Sequence, residues 1–369
     1  ADLIQNGTTL SAAFRLKTQA EGGYTDNQFA ALIPVLTAAG QDPDGFSAIV
    51  SQFTKANFDN IFNQYLPDYS GENLLTLSQG NEALNQSLAA LTLVPDNNGG
   101  QYWLQEYGFQ TTRKSGYTAG FKATTFSFAG GREVRLNPYN MAGVYVNLTS
   151  GNPLDSYAVG KENLTDSDLT IGGYWRMNTG AFKSWAHAGL GFVQVESIRT
   201  VLNTNISRTA KGRWDGYSYS AGLGASYAMR TGFLDVTPQV LLDYYNLNEA
   251  KHTETGGSDF FDLIVAERNS NMVSSQALVN VSYNQWFVKP ELWVGWKQNL
   301  SAKIADTVAN FPNGTPFTLK GGDVTGGGPV MGFRFSADNQ WSFFSLEGNY
   351  QKLDAYTDYS VSLRTRFQF

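Results

Sequence analysis

Acid–base or metal chemistry in this chain would have to start from two histidines, His187 and His252, because it contains no cysteine. Histidine is the side chain that changes charge near neutral pH. The two lie far apart in the sequence, and neither has another histidine at ligand spacing. Without cysteine there is no thiol nucleophile, no cysteine zinc site and no disulfide framework. Neither a G-x-S-x-G elbow nor a G-x-x-x-x-G-K-[ST] loop occurs. The run GGDVTGGG at 321–328 lacks the lysine and the helix of a phosphate loop, and reads as a loop entering a strand. Asp235, Asp243 and Glu291 share one parity, with Lys289, Arg364 and Arg366 at hand to pair with them. An ionic lining accounts for that set more simply than catalysis does. The expectation is no catalytic residue, no metal and no cofactor.

The elements that must position these residues repeat with a period of two. From Tyr102 onward, about twelve segments alternate apolar and polar residues, each followed by turn formers. The third sets Ala142, Val144, Val146 and Leu148 against Gly143, Tyr145 and Asn147. The fourth sets Leu169, Ile171 and Trp175 against Thr170, Tyr174 and Arg176. The seventh sets Val236, Val240 and Leu242 against Asp235, Gln239 and Asp243. The ninth sets Val288, Leu292, Val294 and Trp296 against Lys289, Glu291, Trp293 and Lys297. The last, YSVSLRTRFQF, puts Tyr359, Val361, Leu363, Phe367 and Phe369 on one parity and Arg364 and Arg366 on the other. His187 shares its parity with Gly189 and Gly191, the polar side, while His252 falls in a long loop.

Alternation over about ten residues suits a tilted membrane strand. Aromatic residues gather at the ends of the apolar faces, as at membrane interfaces. Connections alternate in length: MRTG at 229–232 and NQ at 284–285 are short, whereas 246–263 and 298–328 are long and polar. Short turns and long outer loops mark an outer-membrane barrel. With 38 glycines, 14% aromatic and 16% charged residues, the chain is poorer in charge than an ordinary soluble domain. The net charge of −6 speaks against nucleic acid. No run of about 18 apolar residues occurs, so no transmembrane helix is expected. A soluble β-sandwich or propeller would need solvent-like charge on the faces that here carry glycine and uncharged polar residues. The expected fold is an all-β transmembrane barrel of about twelve antiparallel strands, occupying 96–369.

The first part of the chain follows a helical period. Asp26 is expected to cap a helix through Ala38, with Phe29, Leu32, Ile33 and Leu36 as its apolar face and Gly40 as its stop. Asp44 is expected to open a second, carrying Phe46, Ile49, Val50 and Phe53. A third holds Phe58, Ile61, Phe62 and Tyr65 and ends before Pro67. A fourth begins near Ser70, with a narrow stripe of Leu77, Leu84, Leu88 and Leu91 among Gln79, Asn81, Glu82, Asn85 and Gln86. About 20 helical residues cover about 30 Å, one bilayer core. Such a helix is either a surface helix of a small helical domain or a helix threaded through a polar lumen. In the second reading Leu77, Glu82, Leu84, Asn85 and Leu88 meet the wall. The opening ADLIQNGTTL has no leader pattern, so any leader is expected to have been removed before Ala1.

The segment FNQYLPDYSGENLLTLSQGNEALNQSLAAL, joined directly to an even-stranded C-terminal barrel, resembles the pre-barrel region and translocator β-domain of autotransporters. These are the type V secretion proteins of Gram-negative bacteria. The resemblance implies an outer-membrane barrel that anchors an N-terminal passenger and aids its export to the cell surface. Residues 1–70 then read as a helical passenger remnant or linker, and 71–95 as a lumen helix and linker. Val361, Leu363, Phe367 and Phe369 would form the terminal label read by the barrel assembly machinery. Periplasmic chaperones, outer-membrane lipid and the chain's own passenger are the implied partners of a monomeric barrel. Arg176, Asp235, Asp243, Lys289, Glu291, Arg364 and Arg366 would line the lumen, with Arg364 and Arg366 near Glu82. Asn97 and Asn98 follow the helix and read as a turn rather than a cleavage segment. The alternative function is a porin-like channel, which needs no helix. A barrel hydrolase would need His187 or His252.

Overall fold

The computed structural model describes residues 2–6, 9–13, 16–91, 101–115, 118, 120–155, 163–203, 206–338 and 342–368. Twelve long antiparallel strands close into a barrel, as the alternation predicts. They are β1 (Gln101–Arg113), β2 (Phe121–Arg135), β3 (Asn140–Asp155), β4 (Asn163–Asn178), β5 (Phe182–Asn203) and β6 (Ile206–Tyr227). The ring continues with β7 (Leu234–Glu249), β8 (Arg268–Tyr283), β9 (Lys289–Lys303), β10 (Gly326–Asp338), β11 (Ser342–Lys352) and β12 (Tyr356–Gln368). Each strand pairs with the next, and β12 pairs back onto β1 from Tyr356 opposite Arg113 to Gln368 opposite Gln101. Closure removes the sheet edge, whose unpaired N–H and C=O groups hydrocarbon cannot solvate.

The pleat sorts the residues. Val144, Val146 and Leu148 point outward, and Tyr145 and Asn147 point inward. Tyr217, Tyr219 and Leu223 are outside while Ser218 and Ser220 are inside. At one end the connections 136–139, 179–181, 228–233 and 284–288 are tight. At the other end β5 and β6, 22 residues each, rise past their neighbours. There the long loops build a separate sheet from His252–Thr253, Ile264–Val265, Thr307–Asn310 and Phe317–Leu319. The long polar loops expected at 246–263 and 298–328 therefore carry structure of their own.

Before the barrel, among the described residues, come a short hairpin, Asp2–Asn6 with Thr9–Ala13, and five helices. These are α1 (Gln19–Gly22), α2 (Asp26–Ala39), α3 (Pro43–Val50), α4 (Lys55–Asn63) and α5 (Glu72–Ala90). Thr25 rather than Asp26 caps α2. Its hydroxyl accepts from the Gln28 N–H at 3.2 Å, and the Gln28 side chain accepts from the Thr25 N–H at 3.1 Å. Asp42 rather than Asp44 caps α3, with Pro43 in the first turn where its missing N–H costs nothing. The expected apolar faces are also corrected. Leu32 and Ile49 are buried, but Phe29, Ile33, Phe46, Val50 and Phe53 face out. The small residues Ala31, Val35, Ala38, Ala39 and Ala48 are packed instead. Small side chains let α2 lie close on the outer sheet and α3 pack against α2 and β6, with Phe261, Leu263, Phe311, Phe317 and Leu319 supplying the bulk of the shared core. In α4 Ile61 and Phe62 are buried, as is Tyr65 just beyond it.

Glycines inside the barrel set its curvature. A Cβ at Gly224 would lie 2.2 Å from the Trp185 ring, which occupies the space that the glycine leaves. A Cβ at Gly172 would meet the Ala188 carbonyl oxygen at 2.3 Å and the Tyr145 ring at 2.5 Å. Gly224→Val should therefore destabilise the barrel by about 1–3 kcal/mol, the usual cost of overpacking. Urea titration of the folded, heat-modifiable band on cold SDS gels measures it, and an unchanged midpoint would refute this account of the glycine.

Candidate functional site: the helix-filled lumen

Helix α5 has 19 residues, about 28 Å at 1.5 Å per residue. It runs inside the barrel from the loop end to the turn end. Near its start the Asn73 side-chain amide donates to Glu249, the last residue of β7, at 3.0 Å. Just past its end, Arg176 of β4 donates to the Leu91 carbonyl at 3.3 Å. All its residues are buried except Glu82, Gln86 and Ala89, which are half-buried. A helix this polar can be buried on all sides only where the surroundings are polar too.

The contacts come in layers. Leu74, Leu75 and Leu77 pack with Phe121, Val193, Trp214, Tyr245 and Met272 of the wall. Leu84 and Leu88 pack with Trp103, Tyr145, Tyr174, Trp185 and Leu241. Between the leucines, amides meet carboxylates. Asp243 accepts from Asn81 at 3.3 Å and Asn85 at 2.9 Å, while the Asn85 carbonyl oxygen accepts from the Trp185 indole at 2.6 Å. Gln79 donates to Asp358 at 3.1 Å. Glu82 pairs with the Lys297 ammonium and accepts from Gln276 at 2.6 Å and Gln351 at 2.9 Å. Gly80 lets the helix touch the wall, since a Cβ there would sit 1.8 Å from the Thr149 hydroxyl.

The seven lining residues all lie on inward strand faces, but their partners differ from those expected. Glu291 pairs with Arg334 at 3.2 Å, directly across the β9–β10 ladder. Arg334 also meets Glu347 at 3.0 Å, directly across the β10–β11 ladder. Arg364 joins the same Glu347 at 3.0 Å and the Tyr107 hydroxyl at 3.1 Å. Lys289 lies 3.6 Å from Asp338, Asp235 accepts from Asn284 at 3.2 Å, and Arg176 is bidentate on Glu133. Arg366 sits over the Phe343 ring. Glu82 therefore reaches Lys297 and not the arginines of β12, and Asp243 is held by amides and not by a cation. The reason is register: a charge pairs with its neighbour across the ladder before it reaches across the lumen. Val361 and Leu363 are on the outward face, Phe367 is paired with Tyr102, and Phe369 lies outside the described residues. Asn97 and Asn98 also lie outside them.

Three arginines that the sequence reading passed over grip the chain where it turns into the lumen. Arg199 donates to the Gln64 carbonyl at 3.2 Å and pairs with Glu254. Arg268 donates to the Asp68 carbonyl at 3.0 Å, the Thr307 hydroxyl at 3.1 Å and Glu249 at 2.7 Å. Arg113 donates to the Ser70 carbonyl. No local motif marks them, because the backbone oxygen that each one holds lies more than forty residues away in sequence.

Neither histidine has catalytic company. The His187 ring is buried, with its Nδ1 3.5 Å from the Tyr145 hydroxyl. His252 stacks on Trp214 with ring centroids 3.8 Å apart. Burial, helped by repulsion from Arg268, lowers its pKa to about 4, so it is neutral at physiological pH. Among the described residues no group of three histidine or carboxylate side chains could hold a metal ion. A cavity of about 360 Å³ forms a vestibule at the turn end, bounded by Ala89, Ala90, Lys183, Arg230, Lys289 and Glu291.

A closed antiparallel barrel with an apolar outside, a polar inside and a helix threaded along its axis is a plugged outer-membrane barrel. Residues 102–351 match the family model of the autotransporter β-domain, and the chain belongs to that family. Solved structures agree on the fold. The translocator domain of autotransporter NalP from Neisseria meningitidis is 14% identical, covering 82% of this chain and 99% of that one, with a TM-score of 0.64. The transport unit of autotransporter AIDA-I from Escherichia coli is 15% identical over 82% of this chain and 100% of its own, at 0.50. The β-domain of the Bordetella autotransporter Brka is 12% identical over 73% and 99%, at 0.51. No curated protein sequence matches. The chain is thus the translocator domain of an autotransporter, a transport unit in the outer membrane of a Gram-negative bacterium whose family implies an N-terminal passenger.

Removing one member of a buried ion pair leaves the other charge stranded, at a cost of about 3–5 kcal/mol. Glu82→Ala should therefore loosen α5 much more than the double change Glu82→Gln with Lys297→Met. Protease accessibility of α5 and urea midpoints test this, and equal effects of the single and double variants would refute it.

Proposed function

We propose that the barrel and α5 form one device: a conduit for the N-terminal part of the same chain, stoppered afterwards by the last segment to enter it. The fit of α5 to the wall carries this reading, with leucine layers against aromatic ones and Asn81, Asn85 and Glu82 against Asp243 and Lys297. Chain direction supports it. The helix starts at the loop end and β1 starts at the turn end, so whatever precedes α5 stands on the outer side. On this reading 1–70 is a passenger remnant or linker, 71–95 the lumen helix and linker, and 96–369 the translocator. Leu77, Glu82, Leu84, Asn85 and Leu88 hold the stopper. Arg176, Asp235, Asp243, Lys289, Glu291, Arg364 and Arg366 keep the empty conduit wet and polar for a passing chain.

Val361, Leu363, Phe367 and Phe369 serve as the label read by the barrel assembly machinery, with periplasmic chaperones holding the chain until then. The outward Val361 and Leu363 support this, because they mark the closing strand, whose backbone edge stays unpaired until β12 meets β1. Any enzymatic activity belongs to the passenger.

Deleting 72–90 should open the pore and raise single-channel conductance in planar bilayers. A steady large conductance from the intact chain would favour the porin reading instead. Removing Phe369 should lower the amount of folded barrel in outer-membrane fractions several-fold without changing synthesis. An unaltered level would sink its role as a label.

A further inference from the structure

Three residues of α5 stand apart from the rest of the helix. Glu82, Gln86 and Ala89 are half-buried, whereas its other residues are buried. Positions i, i+4 and i+7 fall on one helix face, so the three make a single stripe. The stripe looks toward β8–β11, since Glu82 meets Gln276 of β8, Lys297 of β9 and Gln351 of β11. Space follows it. The vestibule at the turn end adjoins a second cavity of about 40 Å³, and Ala89, Gln239, Asn280 and Arg334 border both. That second cavity reaches Gln86 and Gln276. A smaller space of about 10 Å³, between Ser78, Glu82, Asp243 and Ser274, lies one helical turn further on. A water needs about 10–15 Å³ and at least two polar partners. These spaces take waters in single file, and amides, carboxylates and a guanidinium line them. Gln276 points the same way. Its amide nitrogen donates to Glu82, but its Oε1 is buried with no hydrogen-bond partner among the described residues. A buried amide oxygen at a polar cavity is satisfied by water. Past Glu82 the face changes character. Leu75, seven residues earlier on the same stripe, is buried in the cluster that holds Met272, Ile304, Val324 and Tyr356.

We propose that the seated plug leaves a half-channel: water and the smallest hydrophilic solutes enter at the periplasmic turn end, follow the Ala89–Gln86–Glu82 stripe, and stop at the Glu82–Lys297 pair beneath Leu75. This rests on α5 being the stopper and adds that the stopper is wet along one side. Leu84 and Leu88 lie on the opposite side of the helix, so their aromatic layer does not close the passage. The pair that fixes the middle of the plug therefore answers to solutes of the periplasm and not to those of the cell surface.

The chain has no cysteine, so a single introduced one reports access cleanly. Each variant is first checked for the folded barrel by heat modifiability, then treated with aminoethyl methanethiosulfonate, a small water-soluble thiol reagent. Gln86→Cys should react about tenfold faster than Ser87→Cys, its neighbour turned into the wall, because thiol reactivity follows exposure. Leu75→Cys should be as slow as Ser87→Cys. Ala89→Trp fills the junction with the vestibule, so adding it to Gln86→Cys should slow the reaction to the Ser87→Cys level. Gln86→Cys as slow as Ser87→Cys would overturn the half-channel and leave the stopper standing. Leu75→Cys as fast as Gln86→Cys would overturn the blind end, and a rate indifferent to Ala89→Trp would overturn entry from the turn end. Fast reaction at all three cysteines, Ser87→Cys included, would mean that α5 is not seated, which undoes the stopper reading and the half-channel with it.

Discussion

In hydrocarbon a backbone N–H or C=O has no water to turn to, and the whole molecule follows from that one constraint. It forces the first strand to meet the last, as β1 meets β12 along their full length. Closure then fixes parity, because a strand pinned on both sides cannot slip by one residue without turning its apolar face inward. Parity in turn makes the lumen polar, since one side of every strand must suit lipid. Thr170, Arg176 and Asp243 are inside because Leu169, Trp175 and Leu242 must be outside.

A polar lumen cannot be left dry and empty, and α5 solves that with mixed means. Its leucine layers exclude water in two places, and its amides and Glu82 satisfy the wall between them. A wholly apolar plug would strip Asp243 of its amide donors and Lys297 of its counter-charge Glu82, at about 1–3 kcal/mol or more for each. A wholly polar one would leave the Trp103, Tyr145 and Trp185 cluster facing water. The helix reads as weakly amphipathic because it answers two kinds of wall, whereas a surface helix answers one core.

How much of this the sequence discloses depends on how local each cause is. Alternation is local: it is written in successive residues and was legible over Ala142–Leu148, over the tail and in the short turns. The helix was legible as a helix, and its stripe of Leu77, Leu84 and Leu88 was in view. Pairing is not local. Lys297 finds Glu82 across 215 residues, and Arg334 sits between Glu291 and Glu347 through registers that no spacing announces. The faces of α2 and α3 misled for a related reason. Hydrophobicity favoured Phe29, Ile33, Phe46 and Val50, but the packing surface was chosen by size, and alanines fit closest to a sheet assembled from distant loops.

The outer loops tie these parts into one unit. Gln64, Asp68 and Ser70, whose carbonyls the three arginines hold, occupy the short passage between the cap helices and α5. Arg268 alone joins that passage to the end of β7 through Glu249, and Glu249 also accepts from Asn73 of α5 and from the Trp214 indole. The start of the plug, the cap and two barrel strands thus converge on one carboxylate. Withdrawing α5 from the lumen strips partners from Glu249 and tugs on backbone that Arg199 and Arg113 hold from the wall. Arg199 also holds Glu254 and the Phe261 carbonyl, and Arg268 also holds Thr307, so the collar is anchored in the wall and outer loops and fixes the backbone at the point where α5 begins.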